Sequence, residues 1–370
     1  MNALRAWETS PRGADPRPVA IVFGKKEAMG DALVRIPAYR ALRTALPGHR
    51  IVHVSAQTAA MPHALKALAP QMVDEVITGQ PLRQGPAFLR RLILSINNVE
   101  TVIDLRANLG ALWTYLATAG LPIRYVANTA FFMLRHRIGG KFRPRPVANA
   151  ERYHRCVELI ARRTLPFDPT VPVGEGARRA ASRLVPEGMR YMLLSPGLAT
   201  SFKAWPSDRW ATVARHVAAR GIRPVFLLGP LEPDHRAWIE RDVPEALIVD
   251  ERSVADQDDL PWLFHALASR SLACVAIESG IGHLAAASSC PVLTIGGATR
   301  TAQWRPATPR SWTVDARDFG SRKLSGVPVD VVIDRIDEIV AYMDRLVPPV
   351  AFAEGAAATG PAVHRGVSFQ

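Results

Sequence analysis

Short apolar runs punctuate the chain, each followed by a glycine-bearing or polar turn and then by a stretch with helical periodicity. The first run is Val19-Ala-Ile-Val-Phe23, and after the loop Gly24 to Gly30 a helix is expected from Asp31 through Leu46, where Leu33, Ile36, Leu42 and Leu46 share one face. Ile51 to Val54, Val73 to Ile77 and Thr101 to Leu105 read as further strands, the last followed by an apolar helix around Ala111 to Ala119. A helix from about Arg152 to Arg163 then precedes a segment, Thr164 to Gly176, with three prolines and two glycines. The rhythm restarts with strands at Arg190–Ser195, Pro224–Leu228, Leu247–Val249, Ser271–Ile277 and Pro291–Ile295, separated by helices at Ser207–Arg220 and Leu260–Ala268 and a small-residue helix after Gly280. Asp330 to Leu346 is a final amphipathic helix. Strands that alternate with helices in this way form a parallel, doubly wound sheet, and two such series predict two α/β domains with a ligand cleft between them.

The division that follows is a disordered N-terminus at 1–17, a first domain at 18–163, a linker at 164–176, a second domain at 177–329, a helix at 330–347 and a disordered tail at 348–370. A length of 370 residues suits two cores better than one. No run of eighteen apolar residues occurs and the first residues lack an apolar h-region, so neither a membrane span nor a secretory signal is expected and the cytoplasm is the expected compartment. Cys156, Cys274 and Cys290 have no metal spacing, and Cys274 and Cys290, in buried-strand contexts, read as small apolar residues.

The net charge of +13 is carried almost wholly by arginine. Between Ile77 and Arg145, ten basic residues stand against two acids, Glu100 and Asp104, which predicts a basic face on the first domain and an anionic partner: a phosphorylated glycolipid or a membrane surface. No helix-turn-helix, RNP-like or zinc-finger pattern accompanies the charge, so nucleic acid is not expected.

Chemistry is most concentrated at Glu278-Ser-Gly-Ile-Gly-His-Leu-Ala-Ala-Ala287, where a strand meets a helix N-terminus. Free N–H groups and the positive end of the helix dipole suit a phosphate there, with Glu278, Ser279 and His283 within a turn of Gly280 and Gly282. The same stretch matches the dinucleotide fingerprint G-x-G-x-x-A, but Thr299, Arg300 and Thr301 occupy the place where a ribose-binding acid is needed, which argues against a dehydrogenase. Asp31, at the start of the first helix, is either a cap or a carboxylate at the strand's carboxyl end able to accept a proton from a hydroxyl. In the loop Ser195 to Trp210, Gly197, Thr200 and Ser201 can bend the chain and donate hydrogen bonds, and Lys203 offers a point charge to a phosphate or is a solvated surface lysine. Glu232, in Gly229-Pro-Leu-Glu-Pro-Asp234, either accepts from sugar hydroxyls or serves the turn. No metal spacing, G-x-S-x-G or resident-cofactor motif is present in the sequence.

Together these pieces resemble glycosyltransferase family 9, the heptosyltransferases of lipopolysaccharide inner-core assembly. The carriers are Ala28-Met-Gly-Asp31 with Ile36-Pro-Ala38, Val102-Ile-Asp-Leu105, Pro196-Gly197 with Lys203-Ala-Trp-Pro206, Pro230-Leu-Glu232, the stretch Glu278 to Ala286, and Trp304-Arg-Pro306. The resemblance spans about 19–344. It implies a GT-B fold, two Rossmann-like doubly wound parallel-sheet domains facing across a cleft. It also implies metal-independent, inverting transfer from a nucleotide-activated sugar, ADP-heptose in the family, to an anionic glycolipid acceptor at the inner leaflet, by a protein peripheral to the membrane. Asp31 matches the family's catalytic carboxylate and Lys203 the lysine on the donor phosphates. Glu232 matches a residue near the donor sugar or ribose, and Glu278, Ser279, Gly280, Gly282 and His283 match the donor cradle, with Thr200 and Ser201 beside it. Gly30, Arg106, Arg135, Arg137 and Lys141 are the expected acceptor contacts. The chain departs from the family pattern in having Glu27-Ala28 in place of two small hydroxyl residues, Glu278 in place of aspartate, and Arg106-Ala107 in place of Gln-Gly.

Overall fold

The computed structural model describes residues 15–25, 28–57, 59–61, 63, 65–135, 137–197, 204–230, 232–297 and 299–346. The first sheet consists of β1 (Val19–Gly24), β2 (Arg50–Ser55), β3 (Glu75–Ile77), β4 (Val99–Asp104) and β5 (Arg124–Ala127), all parallel and ordered β3-β2-β1-β4-β5. A short antiparallel hairpin follows, β6 (Arg137–Ile138) with β7 (Lys141–Phe142). The second sheet holds β8 (Tyr191–Ser195), β9 (Arg223–Leu227), β10 (Leu247–Val249), β11 (Cys274–Ile277), β12 (Val292–Gly296) and β13 (Ser311–Asp315), again parallel, in the order β10-β9-β8-β11-β12-β13. Every residue of β1, β8, β11 and β12 is buried, as expected of strands covered by helices on both faces.

Three apolar clusters carry this arrangement. One fills the outer face of the first sheet, around Phe23, Leu89 and Val102, and one the outer face of the second, around Trp210, Phe226 and Ile339. The third is continuous from Tyr39, Tyr153 and Ile160 of the first half to Leu193, Phe264 and Leu284 of the second, so the halves share packed apolar surface. The proline-rich segment before the second sheet is docked: Val171 donates its N–H to Ala287 and accepts from the buried His265. The helix Val329–Leu346 packs through Val332, Ile336 and Ile339 into the outer cluster of the second sheet.

The structure divides the helix expected over 31–46 into Met29–Leu33 and Ile36–Ala45. Pro37 explains the break: it has no N–H to continue the first helix, and it sits in the first turn of the second, where none is needed. A helix at Pro86–Ser95, the strands β5 and β13, and the hairpin β6–β7 also emerge only in the structure.

In each sheet the strand order reverses beside the first strand, between β1 and β4 and between β8 and β11. Open α/β sheets bind ligands at the carboxyl ends of such strands. The turns leaving β1, β8 and β11 lead to Asp31 in the helix Met29–Leu33, to Gly197 and to Glu278.

Candidate functional site

The helix after β1 starts at Met29, with Ala28 in extended conformation before it. Asp31 is therefore the third helical residue rather than the capping one, and its Oδ2 accepts the Ala28 N–H at 3.1 Å. This is the carboxylate half of a capping box, without the hydroxyl that would complete it. The carboxylate is half-buried at the carboxyl edge of the first sheet.

Facing it is the helix Gly280–Ala287, whose N-terminus follows β11 directly. Two glycines allow the approach. A Cβ on Gly30 would lie 3.0 Å from His283 Cδ2 and 3.3 Å from Gly280 Cα, and one on Gly280 would lie 3.0 Å from Met29 Cε. The two helix N-termini thus converge on one point, with Asp31 on one side and the Glu278–His283 cradle on the other. Glu278 Oε2 accepts from Thr299 Oγ1 at 2.7 Å. Glu278 Oε1 and Ser279 Oγ are buried with no hydrogen-bond partner among the described residues. Polar atoms of this kind are costly to leave unsatisfied, so an acceptor and a hydroxyl beside a helix N-terminus mark a place for a polyhydroxylated, anionic ligand.

His283 lies against Gly30, and its burial pushes the imidazole down from 6.5 to about 4, so it is neutral at physiological pH. The folded state binds this proton less tightly than the unfolded chain, so protonation favours unfolding. Stability is expected to be full above pH 6.5 and to fall as the pH drops towards 4. His53 and His265, lowered by the same cause, add to the loss. Urea midpoints at neutral pH and in this acid window, for wild type and His283→Gln, measure the share of His283: the variant should lose less.

After β8 the chain turns through Gly197, at φ +69°, where a Cβ would meet Ile277 Cδ1 at 2.5 Å. Only glycine fits both demands. His235 donates from Nε2 to the Gly197 carbonyl at 2.9 Å, and its Nδ1 accepts from Trp238 Nε1 at 3.0 Å. The indole can only donate, so the tautomer with the proton on Nε2 follows. Neither residue stands out in the sequence, because the helix Pro233–Asp242 that carries them is brought to the β8 loop by the sheet order alone. Thr200, Ser201 and Lys203 lie outside the described residues. The far end of their loop is anchored by Trp205, buried, donating from Nε1 to Val327 at 3.0 Å.

Glu232 serves its own turn: Oε2 accepts the Gly229 N–H at 3.2 Å, and burial raises its carboxyl above the ordinary value. Among the expected acceptor contacts, Gly30 is in the site, and Arg137 and Lys141 are exposed on the hairpin β6–β7. The Arg135 side chain is outside the described residues. Arg106 is placed differently from the expectation. It is buried and turned inward, pairing with Asp104 through Nε (2.9 Å) and Nη2 (2.6 Å) and donating to Leu82, Gly110 and Thr114. Its guanidinium is spent on the scaffold because Asp104, two residues earlier on β4, is itself fully buried and needs a counter-charge. A basic group that composition alone could not locate is Arg152, which is buried and donates from Nε to the Pro146 carbonyl at 2.7 Å and from Nη1 to Asn149 Oδ1 at 3.3 Å. Among the described residues no group of three His, Cys, Asp or Glu is arranged to hold a metal ion.

Residues 158–324 match the family model described as glycosyltransferase family 9 (heptosyltransferase). Lipopolysaccharide heptosyltransferase 3 of Escherichia coli K12 is 25% identical over 167 residues, 43% of this chain and 46% of that protein. With a second E. coli heptosyltransferase 3 covered to 48%, the chain spans about half the length of these relatives. Lipopolysaccharide heptosyltransferase 1 of Pseudomonas aeruginosa is 24% identical over 294 residues, 75% of this chain and 79% of that one. Among solved structures, a glycosyltransferase family 9 protein from Veillonella parvula superposes with a TM-score of 0.62 at 17% identity, covering 90% of this chain and 100% of that one. E. coli ADP-heptose lipopolysaccharide heptosyltransferase II gives 0.58 at 16%, covering 88% and 99%. The two parallel α/β sheets and these likenesses agree on a GT-B fold, and it is residues 158–324 that match glycosyltransferase family 9.

Proposed function

We propose that this protein is an inverting, metal-independent glycosyltransferase. It moves a sugar, heptose, from a nucleotide-diphosphate donor such as ADP-heptose to a hydroxyl of a lipopolysaccharide-core or related surface-glycan acceptor. The observation that carries this is the convergence of Asp31 and the Gly280–Ala287 helix N-terminus across the Gly30–Gly280 contact. It sets a carboxylate opposite an anion-binding cradle that still has a buried carboxylate oxygen and a buried hydroxyl to offer.

In this reading Asp31 takes the proton of the acceptor hydroxyl as it attacks the anomeric carbon from the face opposite the diphosphate. The C1–O bond to the diphosphate breaks as the new glycosidic bond forms. Lys203 and the N–H groups at Gly280 stabilise the charge that grows on the leaving diphosphate, an interaction that strengthens in the transition state. Glu278, held by Thr299, and Ser279 accept from and donate to donor hydroxyls. Gly197, held by His235 Nε2 at its carbonyl, fixes how the chain leaves β8. The protein acts at the cytoplasmic face of the inner membrane as a peripheral protein; no helix among the described residues is long and apolar enough to cross a membrane.

A thermal-shift panel tests the donor half of the proposal, with ADP, ADP-heptose, UDP- and GDP-sugars and NAD against wild type and Lys203→Ala. A nucleotide present at about a hundred times its dissociation constant adds about 2.7 kcal/mol of stability. ADP and ADP-heptose should stabilise wild type and lose most of the effect in the variant. Stabilisation by NAD alone sinks the proposal.

A further inference from the structure

The helix Leu109–Thr118 follows β4 and is built inside out. Its buried positions are Gly110, Ala111, Thr114, Ala117 and Thr118, small or hydroxyl-bearing residues; Trp113 packs half-buried on the first sheet's outer cluster, and the other large apolar side chains face solvent. Leu109 is 74% exposed, Leu112 52%, Tyr115 47% and Leu116 49%. No residue of this helix carries a charge. A surface helix on a water-soluble domain has the opposite arrangement, polar outside and apolar inside. The patch continues onto the next helix, Ala130–Arg135, through a run of rings: Tyr115 to Phe132 at 6.0 Å, Phe132 to Tyr125 at 5.1 Å, and Phe132 to the exposed Phe131 at 5.5 Å. Beyond it Phe142, 56% exposed, lies on the hairpin β6–β7.

The charge around this patch has one sign. From Leu105 to Val147 the chain contains no aspartate or glutamate. Arg137 and Lys141 are exposed on the hairpin, and Arg143 follows it half-buried. Exposed leucines and aromatics bordered by arginine and lysine are the composition of a surface that lies in the headgroup region of an anionic bilayer. The position agrees. All five strands of the first sheet are parallel, so the turns after β1, β4 and β5 emerge at one edge, and Asp31, Leu109 and Phe131 follow those turns.

We infer that the outward face of Leu109–Thr118, with Phe131, Phe142 and the basic hairpin Arg137–Phe142, is a membrane-docking surface that seats the first domain on an anionic lipid leaflet. The inference rests on the transferase reading above only in giving the docking its purpose, to set the Asp31 edge beside a lipid-anchored acceptor.

Co-sedimentation of the full chain with vesicles tests it, using equal parts phosphatidylcholine and phosphatidylglycerol against phosphatidylcholine alone. Wild type should bind the anionic vesicles and release from them as salt rises. Leu112→Gln with Leu116→Gln should weaken partitioning by at least about tenfold, since each leucine is worth a kcal/mol or more when fully buried. Arg137→Gln with Lys141→Gln should cost about fivefold per charge. Leu109→Gln, at the most exposed of these positions, is the second apolar variant should the first not fold. Stabilisation by ADP is measured on every variant. Vesicle binding that is absent in wild type, or unchanged in the leucine and charge variants, overturns the docking surface, and retained ADP stabilisation then leaves the transferase reading intact. Vesicle binding without nucleotide stabilisation supports docking and removes the transferase reading. A wild type that self-associates in sedimentation equilibrium, binds no vesicles and becomes monomeric in the leucine variant assigns the face to a second copy of the chain and overturns the proposal.

Discussion

Asp31→Asn should lower the rate of sugar transfer by roughly 10²–10⁴-fold, the usual worth of a general base. Asparagine is chosen because the amide oxygen can still accept the Ala28 N–H that Asp31 Oδ2 accepts at 3.1 Å, so the start of the helix Met29–Leu33 is kept. What is lost is the negative charge and the ability to take a proton. Nucleotide binding should be unchanged, because the proposed donor cradle follows β8 and β11 of the other half. Transfer followed by release of the nucleoside diphosphate, with thermal shift by ADP in parallel, gives both readouts. Transfer within tenfold of wild type would leave Asp31 as a structural cap and remove it from the chemistry. Loss of ADP stabilisation would mean instead that the substitution deforms the Gly30–Gly280 contact.

The largest effect on stability is expected at Asp104, the last residue of β4. Its carboxylate is fully buried, accepts from Arg106 Nε and Nη2, from the Arg106 N–H at 3.0 Å and from Thr114 Oγ1 at 2.8 Å. The guanidinium lies over the Phe23 ring at 5.3 Å. Asp104→Ala leaves that cation buried without its partner, which costs about 3–5 kcal/mol. Replacing both residues with apolar ones of similar volume, Asp104→Leu with Arg106→Met, should recover most of the loss, because the attraction within a buried pair is largely offset by its desolvation. Urea unfolding midpoints for wild type, single and double variants decide it, provided the slopes agree. A single variant that costs less than about 1 kcal/mol would mean that water or another anion reaches Arg106. The pair also fixes the turn that presents Leu109, since Arg106 Nη2 donates to the Gly110 carbonyl at 3.1 Å.

Local pattern was enough to determine the fold class and to single out the strand-to-helix turns that carry the candidate site. Strands such as Val19–Gly24 and Cys274–Ile277 are apolar throughout because parallel sheets are covered on both faces, and that signature needs no knowledge of neighbours. Gly280 and Gly282 after a strand announce a helix N-terminus for the same local reason. The tertiary structure decided what local pattern cannot hold. Whether Arg106 faces a ligand or the core depends on Asp104 being enclosed, and that burial is made by elements distant in the chain. His235 reaches Gly197 across 38 residues and Thr299 reaches Glu278 across 21, so neither contact leaves a spacing to read. Gly30 looks like an ordinary loop glycine until His283 arrives 3.0 Å from its missing side chain. The helix Leu109–Thr118 is apolar all round, so its sequence carries no direction; close packing against the sheet selected its small residues for the inside and left the leucines out. The chain itself determined the alternation of strand and helix and the glycine-bearing turns that offer an anion site, because those depend on neighbours in sequence. Which charges are exposed, which polar atoms await a ligand and which apolar face meets the surroundings depend on neighbours in space, and only the assembled fold supplies them.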